Sequence, residues 1–305
     1  GSCEILADQA GNTNFDAAPQ ATQIVTVGKA TQTITIPDPG TMHVGDASFN
    51  AGATSDSSLQ IAYSLGSATT NNACSITSSG VITIAYAGAC EIVADQAGDV
   101  TYNPAVTARL TFAIAAGPQA TLTISSASTV TYGNTISLTT SGGSGTGAVT
   151  YATTGTCSVS GTTLTVGDAG SSCSVTATKA ADANYTAASS TAQTVTITRA
   201  SQATLSVSSA STVVYGNTIT LATSGGSGNG VVSYATTGTC SEANGILTVG
   251  DAGSTCTVTA TKAQSTNYNS TTSAAQTVTI TREQQTISFV STPNNLVALG
   301  SYTVN

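Results

Sequence analysis

"QATLTISSASTVTYGNTISLTTSGGSGTGAVTYATTGTCSV" (residues 119–159) decides the fold, because the chain writes it twice. Residues 202–242 read "QATLSVSSASTVVYGNTITLATSGGSGNGVVSYATTGTCSE", and Gln119, Tyr132, Cys157 and Cys173 return 83 residues later as Gln202, Tyr215, Cys240 and Cys256. A fixed period of this length marks a repeat architecture, with one supersecondary unit per period. Inside the unit, Leu122 and Ile124 alternate with Thr, as do Leu164 with Val166, Val175 with Ala177 and Val195 with Ile197. A period of two lines one face of a strand with apolar side chains. Between these runs, "YGN", "SGGSGTG", "VGDAG" and "DANY" supply turn chemistry. About seven short strands per repeat, with no helical periodicity, predict a sandwich of two antiparallel sheets.

The period extends over the whole chain. Residues 31–117 form a more divergent copy, with "QTITIPDPG" in the place of "QATLTISSA". Residues 1–30 match the last part of that copy, with Cys3 falling on Cys90. Residues 284–305, "QQTISFVSTPNNLVALGSYTVN", match its first part. The expected domains are therefore 31–117, 118–200 and 201–283, flanked by a C-terminal part (1–30) and an N-terminal part (284–305) of further domains. The junction "TVTITRASQATL" leaves about two to four residues between strands and holds no Gly/Ser or Pro linker. An all-β elongated rod of tandem sandwiches, roughly 30–40 Å per repeat, is the expectation.

Composition removes several function classes. Six Lys plus Arg and a net charge of −8 leave no clustered basic surface for nucleic acid. No apolar run reaches the roughly 18 residues of a membrane span, and residues 1–30 lack a signal-peptide pattern, so an export signal is expected outside this stretch. Charged residues are only 7 % of the chain, yet Thr and Ser alternate with Val, Ile and Leu, which fits half-buried strands rather than a solvated coil.

The cysteines locate the chain. Cys74 with Cys90, Cys157 with Cys173, and Cys240 with Cys256 are each 16 residues apart, one pair per repeat. Zinc wants four N/S ligands, whereas each repeat offers two thiols, and His43 is the one histidine in the sequence. The pairs therefore read as three disulfides, which places the chain in an oxidising compartment, extracellular or at a cell surface. Cys3 aligns with the second cysteine of each pair, so its partner is expected upstream, outside the chain.

The stretch "CEIVADQAGDVTY" (90–102), the strand "QTVTIT" (193–198) and the opening strand "QTITIPDPG" (32–40) resemble the bacterial immunoglobulin-like modules found in tandem in large secreted and surface proteins. The resemblance covers essentially the whole chain. It implies immunoglobulin-like β-sandwiches serving as a stalk, adhesin or fibre module outside a bacterial cell. The chain departs from the antibody-type pattern in lacking Trp and in the close spacing of its cysteines. A small β-grasp-like unit is the alternative fold.

Several residues invite a functional reading. The glycine-rich 141–147 and 224–230 lack the Lys-Ser/Thr pair and following helix of a phosphate loop. Asp168 and Asp251 lie in "VGDAG" turns, but calcium takes six to eight oxygens and each repeat supplies one carboxylate there. Tyr63, Tyr151 and Tyr234 on a mid-domain strand, and Phe15, Tyr102, Tyr185 and Tyr268 after the second-cysteine strand, read as structural anchors that pack in a core or corner. Lys179 and Lys262 suggest an isopeptide bond without an accompanying acid, and Gln96 holds the same place in the divergent copy. Asn184-Tyr-Thr and Asn269-Ser-Thr match the glycosylation pattern. No base–nucleophile pair and no paired acids point to catalysis. The expectation is a non-enzymatic, cofactor-free stalk or fibre whose partners are further copies of the repeat, with lateral self-association into fibres possible. An adhesin binding glycan or protein, and a subunit of a self-assembling filament or sheath, are the competing functions.

Overall fold

The strand Gln276–Thr281 shows why the alternation works: Val278 and Ile280 point inward and are buried, while the threonines between them face water. It pairs antiparallel with Thr255–Lys262, Cys256 lying opposite Val278. That strand buries Cys256, Val258 and Ala260 and takes Val232–Gly238 along its other edge. Thr212–Val214 closes the sheet by running parallel to Gln276–Thr281. A smaller sheet, Ile246–Thr248 between Thr218–Thr220 and Ser241–Ala243, lies against it. Val213, Ile219, Leu247, Val258 and Ile280 meet between the two as the core. The repeat 201–283 is thus a β-sandwich.

These coordinates are a computed structural model that describes residues 1–288. Every regular element among the described residues is a β-strand. The fragment expected at 284–305 lies outside the described residues from residue 289 onward. The chain forms two compact units. One comprises Gly1–Ser125, Thr139–Ala152 and Thr176–Ala192, the other Ser126–Leu138, Thr153–Val175 and the chain from Gln193, so repeat 118–200 gives residues to both.

In the first unit, repeat 31–117 builds the same sandwich. Gly88–Asp95 pairs with Ala108–Ala115 and Ala62–Leu65, and Met42–His43 runs parallel to Ala108–Ala115. Phe49–Asn50, Val81–Ile84 and Cys74–Ile76 make the smaller sheet. Buried Ile82, Ile92, Phe112 and Ile114 fill the space between, with Phe49 and Phe112 edge to face at 6.1 Å. In the second unit, Thr163–Thr165 lies between Thr135–Ser137 and Ser158–Ser160, the small sheet of repeat 118–200. Leu164 at its centre is fully buried, as is its counterpart Leu247.

Repeats 118–200 and 201–283 each hold ten strands rather than about seven. The additional ones, such as Thr123–Ile124 with Thr140–Ser141 and Thr271–Thr272 against Thr261 and Lys262, pair over two residues. Alternation cannot register in so short a run.

The structure joins Cys74 to Cys90, Cys157 to Cys173 and Cys240 to Cys256, with Cα atoms 5.8, 5.5 and 5.6 Å apart. Cys74 on the small sheet meets Cys90 on the large one, whereas Cys157 and Cys240 lie in the links that lead from the large sheet into the small one and meet Cys173 and Cys256 of the large sheet. After Cys240 the chain runs through Ser241–Ala243 and Ile246–Thr248 in the small sheet, then returns to the large one at Thr255–Lys262.

Residues 1–30 differ from the later copies. Ser2–Gln9 and Ala18–Thr26 form a two-stranded hairpin in which every residue is exposed. The matching strand Gly88–Asp95 buries five of its eight residues under the strands that 1–30 lacks. Cys3 is an exposed free thiol.

Candidate functional site

The described residues gather no catalytic set, and the site that recurs is the joint between consecutive repeats. It starts from a loop. Asp182 N–H donates to Tyr185 O (3.0 Å), and Asp182 Oδ1 accepts the amides of Asn184 and Tyr185, both at 2.9 Å. This is an Asx-turn, and it presents Asn184 and Tyr185 outward. The same main-chain bond closes the loop at Asp99 with Tyr102, at Ser265 with Tyr268 and at Asn12 with Phe15.

Three of these four loops, those at Asp99, Asp182 and Ser265, grip the last residue of the preceding repeat. Gly117 N donates to Asn184 O and Thr186 N donates back to Gly117 O, at 3.0 and 2.9 Å. Ala200 makes the same two bonds with Asn267 and Asn269, and Ala30 makes them with Thr101 and Asn103. The asparagine side chain adds a second grip. Asn184 Oδ1 accepts Ala87 N–H at 2.9 Å. Asn267 Oδ1 accepts Ala169 N–H, and its Nδ2 donates to Asp168 Oδ1, both at 2.8 Å. Arg199 Nε donates to Ser265 O at 2.9 Å. Where Asn267 meets a carboxylate, Tyr86 stands in the earlier joint, and Thr101 replaces the asparagine altogether in the first. The joint carries the most hydrogen bonds where the sequence repeats most closely.

Asn267→Ala should raise the hydrogen-exchange rate of the Ala169 amide by at least about tenfold, because the only acceptor that amide has among the described residues is removed. Exchange measured by NMR checks this. An unchanged Ala169 rate would show that the joint does not depend on the side chain.

The expected anchors fall into two groups. Tyr63, Tyr151 and Tyr234 lie half-buried on the strands Ala62–Leu65, Val149–Gly155 and Val232–Gly238, with Tyr63 and Tyr234 packed on their own repeats' cores. The loop aromatics belong to the joints. Tyr185 packs against the core of the preceding repeat, 31–117. Tyr268 meets Tyr132 of the preceding repeat edge to face, ring centroids 5.6 Å apart. Tyr102 forms a parallel bridge with Ala30. Phe15 corrects the core expectation. It is 72 % exposed, because the surface on which Tyr185 and Tyr268 sit comes from a preceding repeat and none lies beside Phe15 among the described residues.

Other candidates resolve into structure. In the glycine-rich loop, Gly142 and Gly225 adopt φ of +82° and +81°, and a Cβ there would lie 1.9 and 2.0 Å from the carbonyl oxygens of Thr121 and Thr204. Two of the loop's amides are already partnered: Gly145 N–H donates to Gln119 Oε1 and Thr146 N–H to Asp182 Oδ2. The stems of Lys179 and Lys262 fill the space over Gly143 and Gly226. Gln96, at that position in repeat 31–117, is buried and accepts from Gln32 Nε2. The Asn184 side chain is engaged in the joint, and Asn269 is exposed. His43 lies 3.8 Å from Asp46 at the surface.

Glu91 is the buried carboxylate of repeat 31–117. It accepts Ala68 N–H and faces Arg109 Nη1 at 3.3 Å, and the Ala68 amide first and then Arg109 hold its carboxyl below the usual range. Two open grooves, about 830 Å³ beside Thr212–Val214 and about 610 Å³ beside Gln60–Ala62, are lined by aliphatic, hydroxyl and amide side chains, with Asp95 their one charged residue.

Asp182 gives the loops a pH dependence. Thr146 N–H first, then the amides of Asn184 and Tyr185, hold its carboxyl below the ordinary range. Asp99 is lowered likewise, by the amides of Tyr102 and Thr101. A depressed folded-state pKa contributes stability that is present above the unfolded value, about 4, and is lost as pH falls through the folded one. In acid, the amides of Asn184 and Tyr185, both accepted by the Asp182 carboxylate, should lose exchange protection, while the Asn269 amide, held by Ala200 O in the loop where Ser265 stands in the place of Asp182, keeps it. Equal loss at Tyr185 and Asn269 would contradict this assignment.

No protein-family model matches this chain, and no curated protein matches it. Among solved structures it is similar to Drosophila N-cadherin EC1-4, at 14 % identity and TM-score 0.28 over 93 % of this chain and 83 % of that one. It is similar to the human Desmocollin-1 ectodomain at 12 % identity and TM-score 0.25, over 90 % and 66 %. Surface layer protein SbsC, domains 1-6, gives 12 % identity and TM-score 0.22, over 89 % and 47 %. Overlaps this slight transfer neither topology nor function, so the fold stands on the strands and sheets described above.

Proposed function

We propose that this chain is part of an extracellular structural repeat protein, a stalk or fibre built from disulfide-clipped immunoglobulin-like domains. The observation that carries the proposal is the joint. Matching residues lock repeat to repeat at Asn184 and again at Asn267, so the repeated feature of the molecule is a connection rather than a ligand site. One disulfide in each complete repeat supports an oxidising compartment. The "CEIVADQAGDVTY" stretch and the strands around it support placing the repeats with bacterial immunoglobulin-like modules.

Immunogold labelling of the source cells with an antibody against repeat 201–283 tests the proposal. Label along surface projections or extracellular fibres is expected. Label inside the cell would overturn it, and saturable binding of one glycan on an array, mapped to a single repeat, would replace it with an adhesin.

A further inference from the structure

Asparagine followed directly by glycine occurs twice in the chain, at Asn229-Gly230 and at Asn244-Gly245, both in repeat 201–283. Their counterparts in repeat 118–200 are Thr146-Gly147 and Gly161-Thr162. The pair is reactive because glycine has no side chain to keep its main-chain nitrogen away from the asparagine Cγ. Attack by that nitrogen closes a cyclic imide that includes the main-chain carbonyl carbon. The peptide plane between the two residues must therefore turn toward the asparagine side chain. Reactivity follows from how freely the folded chain lets that plane turn into the attacking geometry.

At Asn244 the plane is held. Ala243 pairs with Ile246, so Asn244 and Gly245 are the two-residue turn of a hairpin. Their φ values, +53° and +81°, are those of the type I′ turn that this pair favours. Gly245 N–H, on the nitrogen that would attack, donates to Glu242 Oε1 at 2.6 Å. Gly245 O accepts Leu221 N–H at 2.8 Å. Ring closure would break both bonds and disturb the register that buries Leu247. Asn229 has none of this support. It lies exposed in the glycine-rich loop, outside every strand. Among the described residues, neither Asn229 N–H nor Gly230 N–H has an acceptor. Asp182 holds the counterpart Thr146 N–H, and Ser265 stands in the place of Asp182 here.

We propose that Asn229 is a site of spontaneous deamidation in the folded protein, and that the fold protects Asn244, its equal in sequence. Gly230 N gives its proton to a solvent base and attacks Asn229 Cγ. The new C–N bond forms as the bond from Cγ to Nδ2 breaks, and Nδ2 leaves as ammonia with the proton that it needs. Water then opens the imide. Addition at Cγ gives aspartate, and addition at the main-chain carbonyl gives isoaspartate, so one ammonia is lost and one water gained. Isoaspartate lengthens the main chain, which a loop outside the strands absorbs and a two-residue turn does not. The product carboxylate enters a groove of about 300 Å³ that Asp168, Ser265 and Tyr268 also line. Conversion thus adds a negative charge beside the joint at Asn267, in this repeat alone.

Incubation of the folded 305-residue chain in mildly alkaline buffer made with oxygen-labelled water tests the proposal, because each conversion takes up one labelled oxygen. After reduction and alkylation, cleavage following Tyr215, Tyr234 and Leu247 separates the peptide that holds Asn229 from the one that holds Asn244. Mass spectrometry over time then gives both rates. Asn229 should convert faster than Asn244 by at least about tenfold, the worth of the hydrogen bonds that hold the turn. In urea with reductant, where loop and turn are both lost, the two rates should come together. Gly230 is left unchanged, since a Cβ there would lie 2.0 Å from Ala263 O. The variant is instead Ser265→Asp, which restores the acceptor that Thr146 has and should slow Asn229 by at least about threefold. Equal rates at the two sites in the folded protein, or a faster Asn244, overturn the proposal. So does a folded chain that takes up no label at Asn229 while the unfolded chain does, and so does a rate at Asn229 that Ser265→Asp leaves unchanged.

Discussion

Reduction of the three disulfides is expected to lower the melting temperature of this protein by about 12–24 °C. Each bridge closes a loop of 16 residues. In the chain-entropy model such a loop stabilises its domain by about 3 kcal/mol. A domain of this size shifts by about 4–8 °C per kcal/mol. The effect is large because each bridge ties the large sheet to the start of the small one, in repeats whose cores hold few aromatic side chains. Access orders the reaction. Cys157 and Cys240 are half-buried, whereas Cys74 and Cys90 are 4 % and 0 % exposed, so the bridge in repeat 31–117 should be reduced last. Calorimetry with and without reductant, alongside mass measurement after alkylation, checks both statements. Full alkylation with an unchanged melting temperature would show that the clips are not what holds the repeats together.

Much of the sandwich is legible in single residues because its cause is local. Val278 and Ile280 announce their burial by alternating with threonine, and the two-residue offset needs no knowledge of the rest of the chain. The joint is different. Asn267 reads as part of a turn and Asp168 as a turn residue or a lone oxygen ligand, because each acquires its role from a partner 99 residues away. Asn184 reads as a glycosylation acceptor for the same reason, its partner Ala87 lying 97 residues upstream. The sequence carries the signal in the recurrence of an asparagine before the loop aromatic at 14, 184 and 267, with Thr101 the exception. A core role explains the aromatic and leaves the asparagine unexplained. Phe15 shows the same limit, since it shares a position with Tyr185 and Tyr268 but not their surroundings. The glycine-rich loops were legible as turns, but the need for glycine at 142 and 225 comes from carbonyls on the opening strands, at Thr121 and Thr204, which no local pattern reveals.

Replacing Leu247 with Ala is expected to cost repeat 201–283 about 2–5 kcal/mol. Leu247 is fully buried at the centre of the small sheet, opposite Ile219 in one neighbouring strand and Glu242 in the other, and it packs into the core with Val258 and Ile280. No strand can close over the space it would leave, since both its flanks are hydrogen-bonded. A domain of some 83 residues has roughly 4–12 kcal/mol in total, so the substitution removes a large share of it and brings that repeat close to unfolding at ordinary temperatures. The residue beside it supplies the control. Ile246 is chemically as apolar, but the pleat turns it outward and it is 46 % exposed, so Ile246→Ala should change stability by no more than about 0.5 kcal/mol. Leu164→Ala should repeat the large effect in repeat 118–200, where the same position is equally buried. Urea unfolding of the three variants checks the set. Similar losses for Ile246→Ala and Leu247→Ala would mean that the strand Ile246–Thr248 sits one residue out of the register described here, with its other face toward the core.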